Sequence, residues 1–448
     1  MTPRTDSLWR RDIVGWSLYD FANTIYSMNI VSLYLKRYIV QDLGHDDRFF
    51  DIPFAVSMLL AAVLLPGLGA LSDHSTKKKL FLFLFTVMCC FAVGLMALVP
   101  PPAVFVLIGL FIIANFSYEA GQPFYNALLY SVADGVKARF VSGVGVALGY
   151  VGSIGGMLLV LPFVTGDFYG FHLPLVTGWG KVGAFIPTAV LFFLFALPLF
   201  LWVREKPISK HTRVGFLQAY REVWDGIRLT KRYPGVLRFL IADYFFEDAA
   251  ATVILNIGLY CSLVLSLSEG QITTFLTVST ASAVLGSFVF GALAQRLSLK
   301  HLMAGIAVGW VVSLCLFVVT DWMPVIWILG SVVGVLLGGL WTVSRPLLAE
   351  LVPRDELGRF FGLFALSGRA AAVVGPLLWT IVVYYMRPDR YLGRLLAEWF
   401  GLSGHAAEVL PYKAGIAVLA IMMLIGVYIF RKVPTTSPQV SAGETAHG

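Results

Sequence analysis

The sequence predicts an all-α integral membrane protein whose twelve transmembrane helices form two pseudo-symmetric six-helix bundles. Three observations predict it. Of 448 residues, 58% are hydrophobic and 13% charged, with a mean hydropathy of +0.80, whereas soluble domains carry roughly 25% charged residues. Apolar runs of about 20 residues, enough to cross a bilayer as a helix, recur along the whole chain. Short signatures in the first half return in the second at a nearly constant offset.

Apolar runs between charged residues and Pro or Gly breaks place segments 1 to 6 near 12–40, 51–71, 80–99, 103–131, 141–164 and 182–203. Segments 7 to 12 follow near 236–264, 271–294, 301–319, 324–351, 360–386 and 412–431. Segment 1 opens behind Arg4, Asp6, Arg10 and Arg11 and lacks a small-residue cleavage site, so it reads as a retained helix and not a signal peptide. The most polar interval, 204–235, divides the chain into an N-terminal bundle (1–203), a cytoplasmic linker (204–235), a C-terminal bundle (236–431) and a disordered tail (432–448) rich in Pro, Ser, Thr and Gly. Within the linker, Val214, Leu217, Tyr220, Val223, Trp224 and Ile227 recur at helical spacing, which predicts an interfacial amphipathic helix over 212–227. Cys89, Cys90, Cys261 and Cys315 all fall inside apolar runs, which argues against a disulfide framework.

The formal charge of +7 is informative through its placement. Twenty-three Lys and Arg lie on the side of the two termini, six on the opposite side and four within helices. Positive residues mark the cytoplasmic side, so both termini are expected in the cytoplasm, with the protein in the inner (cytoplasmic) membrane. No basic patch interleaved with aromatics appears outside these loops, which speaks against nucleic acid as a partner.

Three signatures occur twice. Gly69-Ala70-Leu71-Ser72-Asp73 with Lys77 to Lys79 is echoed 222 residues later by Gly291-Ala292-Leu293-Ala294-Gln295 with Arg296 and Lys300. Arg139-Phe140 before Gly143 is echoed 220 residues later by Arg359-Phe360 before Gly362, and Asp20 with Thr24 is echoed 228 residues later by Asp248 with Thr252. The halves read as copies of one six-helix unit.

The Gly-x-x-x-Asp and basic cluster between segments 2 and 3 resembles the loop signature of the major facilitator superfamily. Trp16 to Asn23, Phe124 to Leu129 with its Asn126, and Ser142-Gly143-x-Gly145 with Gly149-Tyr150-x-Gly152 resemble the branch related to the autophagy-associated vacuolar amino-acid effluxer. Two departures stand out: Gln295 replaces the second loop Asp, and Glu247-Asp248-Ala249 stands where the branch tends to show Asn-Asp-Gly. The resemblance implies an alternating-access secondary transporter whose segments 1, 4, 7 and 10 line a central cavity. It implies a small-molecule substrate, the lipid bilayer as surroundings, no cofactor, no metal site and a monomer.

Ionisable residues inside lipid cost ~2.5–3.5 kcal/mol each on insertion scales, so they usually face a cavity or a partner. Asp20, Asn23, Glu119, Asp243, Glu247 and Asp248 are therefore expected at the solute path, where they bind substrate or carry a proton or another coupling cation. Desolvation raises a carboxylate's proton affinity and a nearby Arg lowers it, so a cavity that opens alternately loads and unloads a proton. Glu119, the deepest, is the leading candidate. Arg369 is the better candidate for a bidentate grip on a carboxylate or phosphate; Arg345, five residues from Glu350 and near the cytoplasmic face, reads more readily as a structural ion pair. Gly69, Asp73, Arg139 and Arg359 are assigned to gating loops, and Gly145, Gly149, Gly152 and Gly156 to close helix contact.

These expectations converge on a proton-coupled carrier of an amino-acid-like or organic-anion solute. An exporter of amphipathic drugs or lipids would call for a cavity richer in aromatics than in charges. A membrane-embedded enzyme would call for metal-ligand spacing, a nucleophile elbow or a P-loop, none of which the sequence contains. A channel would not need the duplicated gating-loop pattern.

Overall fold

In lipid a backbone must satisfy its own N–H and C=O groups, which is why each apolar run becomes a helix. The computed structural model describes residues 10–74, 77–133, 135–168, 171–172, 178–205, 216–352 and 357–434. The elements in chain order are α1 (Arg11–Tyr26), α2 (Arg48–His74), α3 (Lys78–Met96), α4 (Val104–Val132), α5 (Gly135–Thr165) and α6 (Phe185–Trp202). The short strands β1 (Asp167–Phe168) and β2 (Phe171–His172) pair antiparallel between α5 and α6. There follow α7 (Phe216–Leu229), α8 (Pro234–Leu263), α9 (Glu269–Leu293), α10 (Leu299–Val319), α11 (Met323–Leu351), α12 (Leu357–Tyr385), α13 (Tyr391–Trp399) and α14 (His405–Phe430).

Ten helices among the described residues are long and apolar enough to cross a membrane. The other two long ones, α1 and α8, open the two halves of the sequence. They are also the most polar, α1 with Asp12 and Asp20 and α8 with Arg238, Asp243, Glu247 and Asp248. Beyond Tyr26, α1 continues to Asp42 through wider π-type turns at Ser27–Tyr34 and Tyr38–Asp42.

The chain divides into two compact units, Met1–Tyr38 with Val63–Ala219 and Ile39–Ala62 with Tyr220–Gly448. In the first, α1 packs on α5 and α6, and α3 packs on α4 and α6. In the second, α8 packs on α12 and α14, and α10 packs on α11 and α14. These four pairings correspond, as expected of a duplicated six-helix unit, and in the second unit α9 also packs on α11. Glycine permits the closest approaches. A Cβ at Gly152 of α5 would lie 2.2 Å from the Phe21 carbonyl oxygen of α1, and one at Gly338 of α11 would lie 2.0 Å from that of Ala283 of α9.

The linker helix α7 begins at Phe216, and positions 212–215, where the sequence expects it to start, lie outside the described residues. So do positions 435–448 of the tail. All four cysteines are free. One element is new: α13 occupies a stretch between segments 11 and 12 to which the sequence reading assigns no helix.

Candidate functional site

Polar side chains buried inside apolar helices need partners, and tracing those partners locates the chemistry. In the first unit the partners gather around α1. Asn23 donates from Nδ2 to Asp20 Oδ1 at 3.3 Å, and the Thr24 hydroxyl lies 2.9 Å from the Asp20 carbonyl and 2.7 Å from that of Gly149 on α5. Gly145 leaves room for the carboxylate, since a Cβ there would stand 2.6 Å from Asp20 Oδ2. Trp16 and Tyr125 stack at 4.6 Å; the indole N–H donates to the Tyr125 carbonyl (3.1 Å) and the Tyr125 hydroxyl donates to the Trp16 carbonyl (3.3 Å). This reciprocal pair fixes α4 against α1 and sets the Tyr125 hydroxyl beside Asp20. Glu119, half-buried, lies within electrostatic reach of Tyr26 and Tyr118. Asn126 is exposed.

In the second unit α8 directs its carboxylates to two different neighbours. Asp248, fully buried, accepts the Gly375 backbone N–H of α12 at 2.7 Å through Oδ1, and its Oδ2 has no hydrogen-bond partner. Gly375 precedes Pro376, which cannot donate to the helix ladder, so the carboxylate holds α12 at a built-in weak point. Thr252 donates to the Asp248 carbonyl at 2.7 Å, as Thr24 does to Asp20. The duplicated Asp and Thr thus have the same local geometry in both units. The glycines facing them, Gly149 and Gly375, are themselves 226 positions apart.

The other two acids turn toward α11. Asp243, 1% exposed, bonds Ser344 and leaves Oδ1 without a partner. One turn on, Glu247 Oε2 accepts the indole N–H of Trp341 at 3.1 Å. Arg345 is exposed one turn beyond Trp341, and its charge acts on Glu247. Asp243, Glu247, Trp341 and Arg345 form one constellation on two helices. Arg369 is half-buried, with Nη1 3.4 Å from the Ala365 carbonyl of its own helix. The side chains of Gly69, Asp73, Arg139 and Arg359 lie outside the described residues.

Sequence reasoning missed a second polar cluster, at the start of α2. Asp47 accepts the indole N–H of Trp379 at 3.2 Å and the Tyr412 hydroxyl at 3.5 Å; Asp51, fully buried, accepts the Thr380 hydroxyl at 2.7 Å. Asp46 pairs with Arg387 and with Arg48. A cavity of about 250 Å³ lies among these groups, with Tyr384 and Glu408 on its wall. The only local signal was the Asp47 and Asp51 spacing of one helical turn; their partners lie more than 300 positions away.

Comparison with known proteins gives the chain its relatives. A family described as "Vacuole effluxer Atg22 like" matches residues 130–392, and the Major Facilitator Superfamily matches residues 3–157. The MFS-type transporter YxiO of Bacillus subtilis, itself uncharacterized, is 25% identical over 81% of this chain and 86% of its own length. Autophagy-related protein 22 of Kluyveromyces lactis is 23% identical over 86% of this chain and 90% of its own. Among solved structures, the nucleoside transporter NupG superposes with a TM-score of 0.71 at 15% identity, covering 94% of this chain and 99% of that one. A bacterial homolog of the human lysosomal transporter Spinster, inward-facing and occupied, gives 0.70 at 12% identity, covering 95% and 96%.

Proposed function

The chain belongs to the Atg22-like vacuole effluxer family and has the major facilitator fold, a secondary transporter and not an enzyme, and from that premise we propose that it moves a small polar solute, amino-acid-like or an organic anion, in exchange with or alongside protons. One observation carries the proposal: a carboxylate, a guanidinium and a 41%-exposed indole stand together on α8 and α11 at Glu247, Arg345 and Trp341. Glu247 suits an ammonium group, Arg345 a carboxylate or phosphate, and the Trp341 face the apolar body between them. Asp243 lies one turn behind Glu247 with an oxygen that no donor satisfies, which suits a site that takes up a proton. Glu119 remains assigned as a titrating residue and Arg369 as a grip for an anionic group, beside this constellation. Asp20, Asn23, Asn126 and Asp248 remain assigned to the solute path. Gly69, Asp73, Arg139 and Arg359 are assigned to the loops that shut and release it as the halves rock about a midplane site.

We assign the protein to the inner membrane as a monomer, and the Lys and Arg asymmetry supports placing both termini in the cytoplasm. Purified protein in liposomes, offered radiolabelled amino acids and small organic anions with and without a pH gradient, tests the reading. Saturable uptake that the gradient drives and Glu247→Gln abolishes is the expected result. Saturable uptake indifferent to collapse of the gradient would retain the carrier and remove the proton.

A further inference from the structure

α13 (Tyr391–Trp399) carries an apolar stripe that the protein does not cover. At 3.6 residues per turn, Tyr391, Leu392, Leu395 and Trp399 fall within an arc of roughly 100°, and all four are exposed, Tyr391 at 77% and Trp399 at 84%. Arg394 and Glu398 border one edge of the stripe. On the far side Gly393 is buried against the turn that leads into the helix, where a Cβ would stand 2.1 Å from the Arg387 carbonyl oxygen. The stripe therefore points away from the protein by construction, because the glycine fixes which side of the helix is seated.

What covers it follows from its neighbours. α13 starts six residues after one candidate span ends at Tyr385 and stops six residues before the next begins at His405. Both flanking helices are long and apolar enough to cross a bilayer, so the short helix between their ends lies at the level where the bilayer meets water. With one crossing, α14, between it and the C-terminus, that boundary is on the side opposite the termini. Tyr and Trp, with an apolar ring and a polar tip, are the side chains that prefer this boundary. We propose that α13 lies in the outer membrane interface with its Tyr391, Leu392, Leu395 and Trp399 face seated in lipid, and that it binds without regard to headgroup charge.

The second clause rests on charge. Within α13 Arg394 and Glu398 cancel, and of the charges just before it Arg390 pairs with Asp389 and Arg387 with Asp46, so the stripe carries no net field of its own. The linker helix α7 is the internal contrast. It exposes Trp224 and Ile227; its Arg221 and Arg228 are matched by Glu222 and Asp225, and its positive excess comes from Lys231 and Arg232, which follow directly and attract anionic lipid.

Spin labels test the proposal. Cys89, Cys90 and Cys261 are buried and Cys315 is exposed, so a Cys315→Ser background accepts single labels through Leu395→Cys, Trp399→Cys, Arg394→Cys and Glu398→Cys. Each is reconstituted in phosphatidylcholine vesicles, with and without phosphatidylglycerol. Labels at 395 and 399 are expected to be relaxed more by oxygen than by a water-soluble nickel chelate, labels at 394 and 398 more by the chelate. Added phosphatidylglycerol should leave the four ratios unchanged. Equal chelate access at all four positions would overturn the lipid seat, and ratios at 395 and 399 that follow phosphatidylglycerol would overturn the charge independence. A second readout is independent of labelling: Trp399→Phe should lose a measurable share of the tryptophan quenching that brominated phosphatidylcholine produces in the unaltered protein, and an unchanged quenching would count against the proposal.

Discussion

The Asp248 carboxylate does two things at once: it accepts the Gly375 N–H, and it leaves its other oxygen bare in the interior. Asp248→Ala removes the acceptor from a buried backbone donor and should cost about 1–3 kcal/mol, while Asp248→Asn, whose amide oxygen can still accept, should cost less. Thermal unfolding followed with a thiol-reactive dye reads the difference directly, because three of the four cysteines are buried until the helices part. Trp341→Phe keeps the ring but loses one hydrogen bond to Glu247. The bond is made within the unliganded protein, so its loss of about 0.5–1.5 kcal/mol should appear as a lower unfolding temperature, and a rise in KM for the transported solute beyond that would show that Trp341 also meets the solute. The acids themselves were visible in the sequence, because a carboxylate in an apolar run is rare and costly. Their partners were not. Nothing near position 248 announces a backbone N–H at 375, and Glu247 was legible as a departure from the family pattern without any sign that Trp341 would meet it.

The helices were legible where length and hydropathy act together. The apolar runs foresaw the long helices to within a few residues at most ends, since a bilayer-spanning helix needs about 20 apolar residues and a break at each end. The exceptions were the starts of α5 and α14, which the structure moves back from 141 to Gly135 and from 412 to His405. α13 escaped the same reasoning because nine residues are too few to span, and its Arg394 and Glu398 make it look like a loop. The glycine stripe on α5 was also legible, and its members separate in the structure. Gly152→Val would drive a side chain into the Phe21 carbonyl and should abolish folded protein on size exclusion. Gly143→Ala, with open space around the added Cβ, should be neutral or stabilising by up to about 1 kcal/mol.

For the molecule as a whole, the internal duplication was legible as three paired signatures and returns as matched helix pairings in the two units. The grouping of residues 39–62 with the second unit was not legible, because it depends on contacts across more than 300 positions. Its polar bonds differ in worth. The Asp46 ion pairs are partly exposed and each should contribute less than about 1 kcal/mol, so Asp46→Asn should leave the unfolding temperature nearly unchanged. Asp51→Ala, which strips the buried Thr380 hydroxyl of its acceptor, should cost about 1–3 kcal/mol. That same grouping has a consequence in time. Asp47 leaves the ribosome 332 residues before Trp379 does, which at 5–20 residues per second is an interval on the order of tens of seconds. Through that interval the start of α2 must wait, its carboxylates hydrated or shielded by the insertion machinery. The nascent protein stays incomplete at this corner until its last helices are made, and chains stopped before residue 379 should be cleared by quality-control proteases although α1 to α11 are already present.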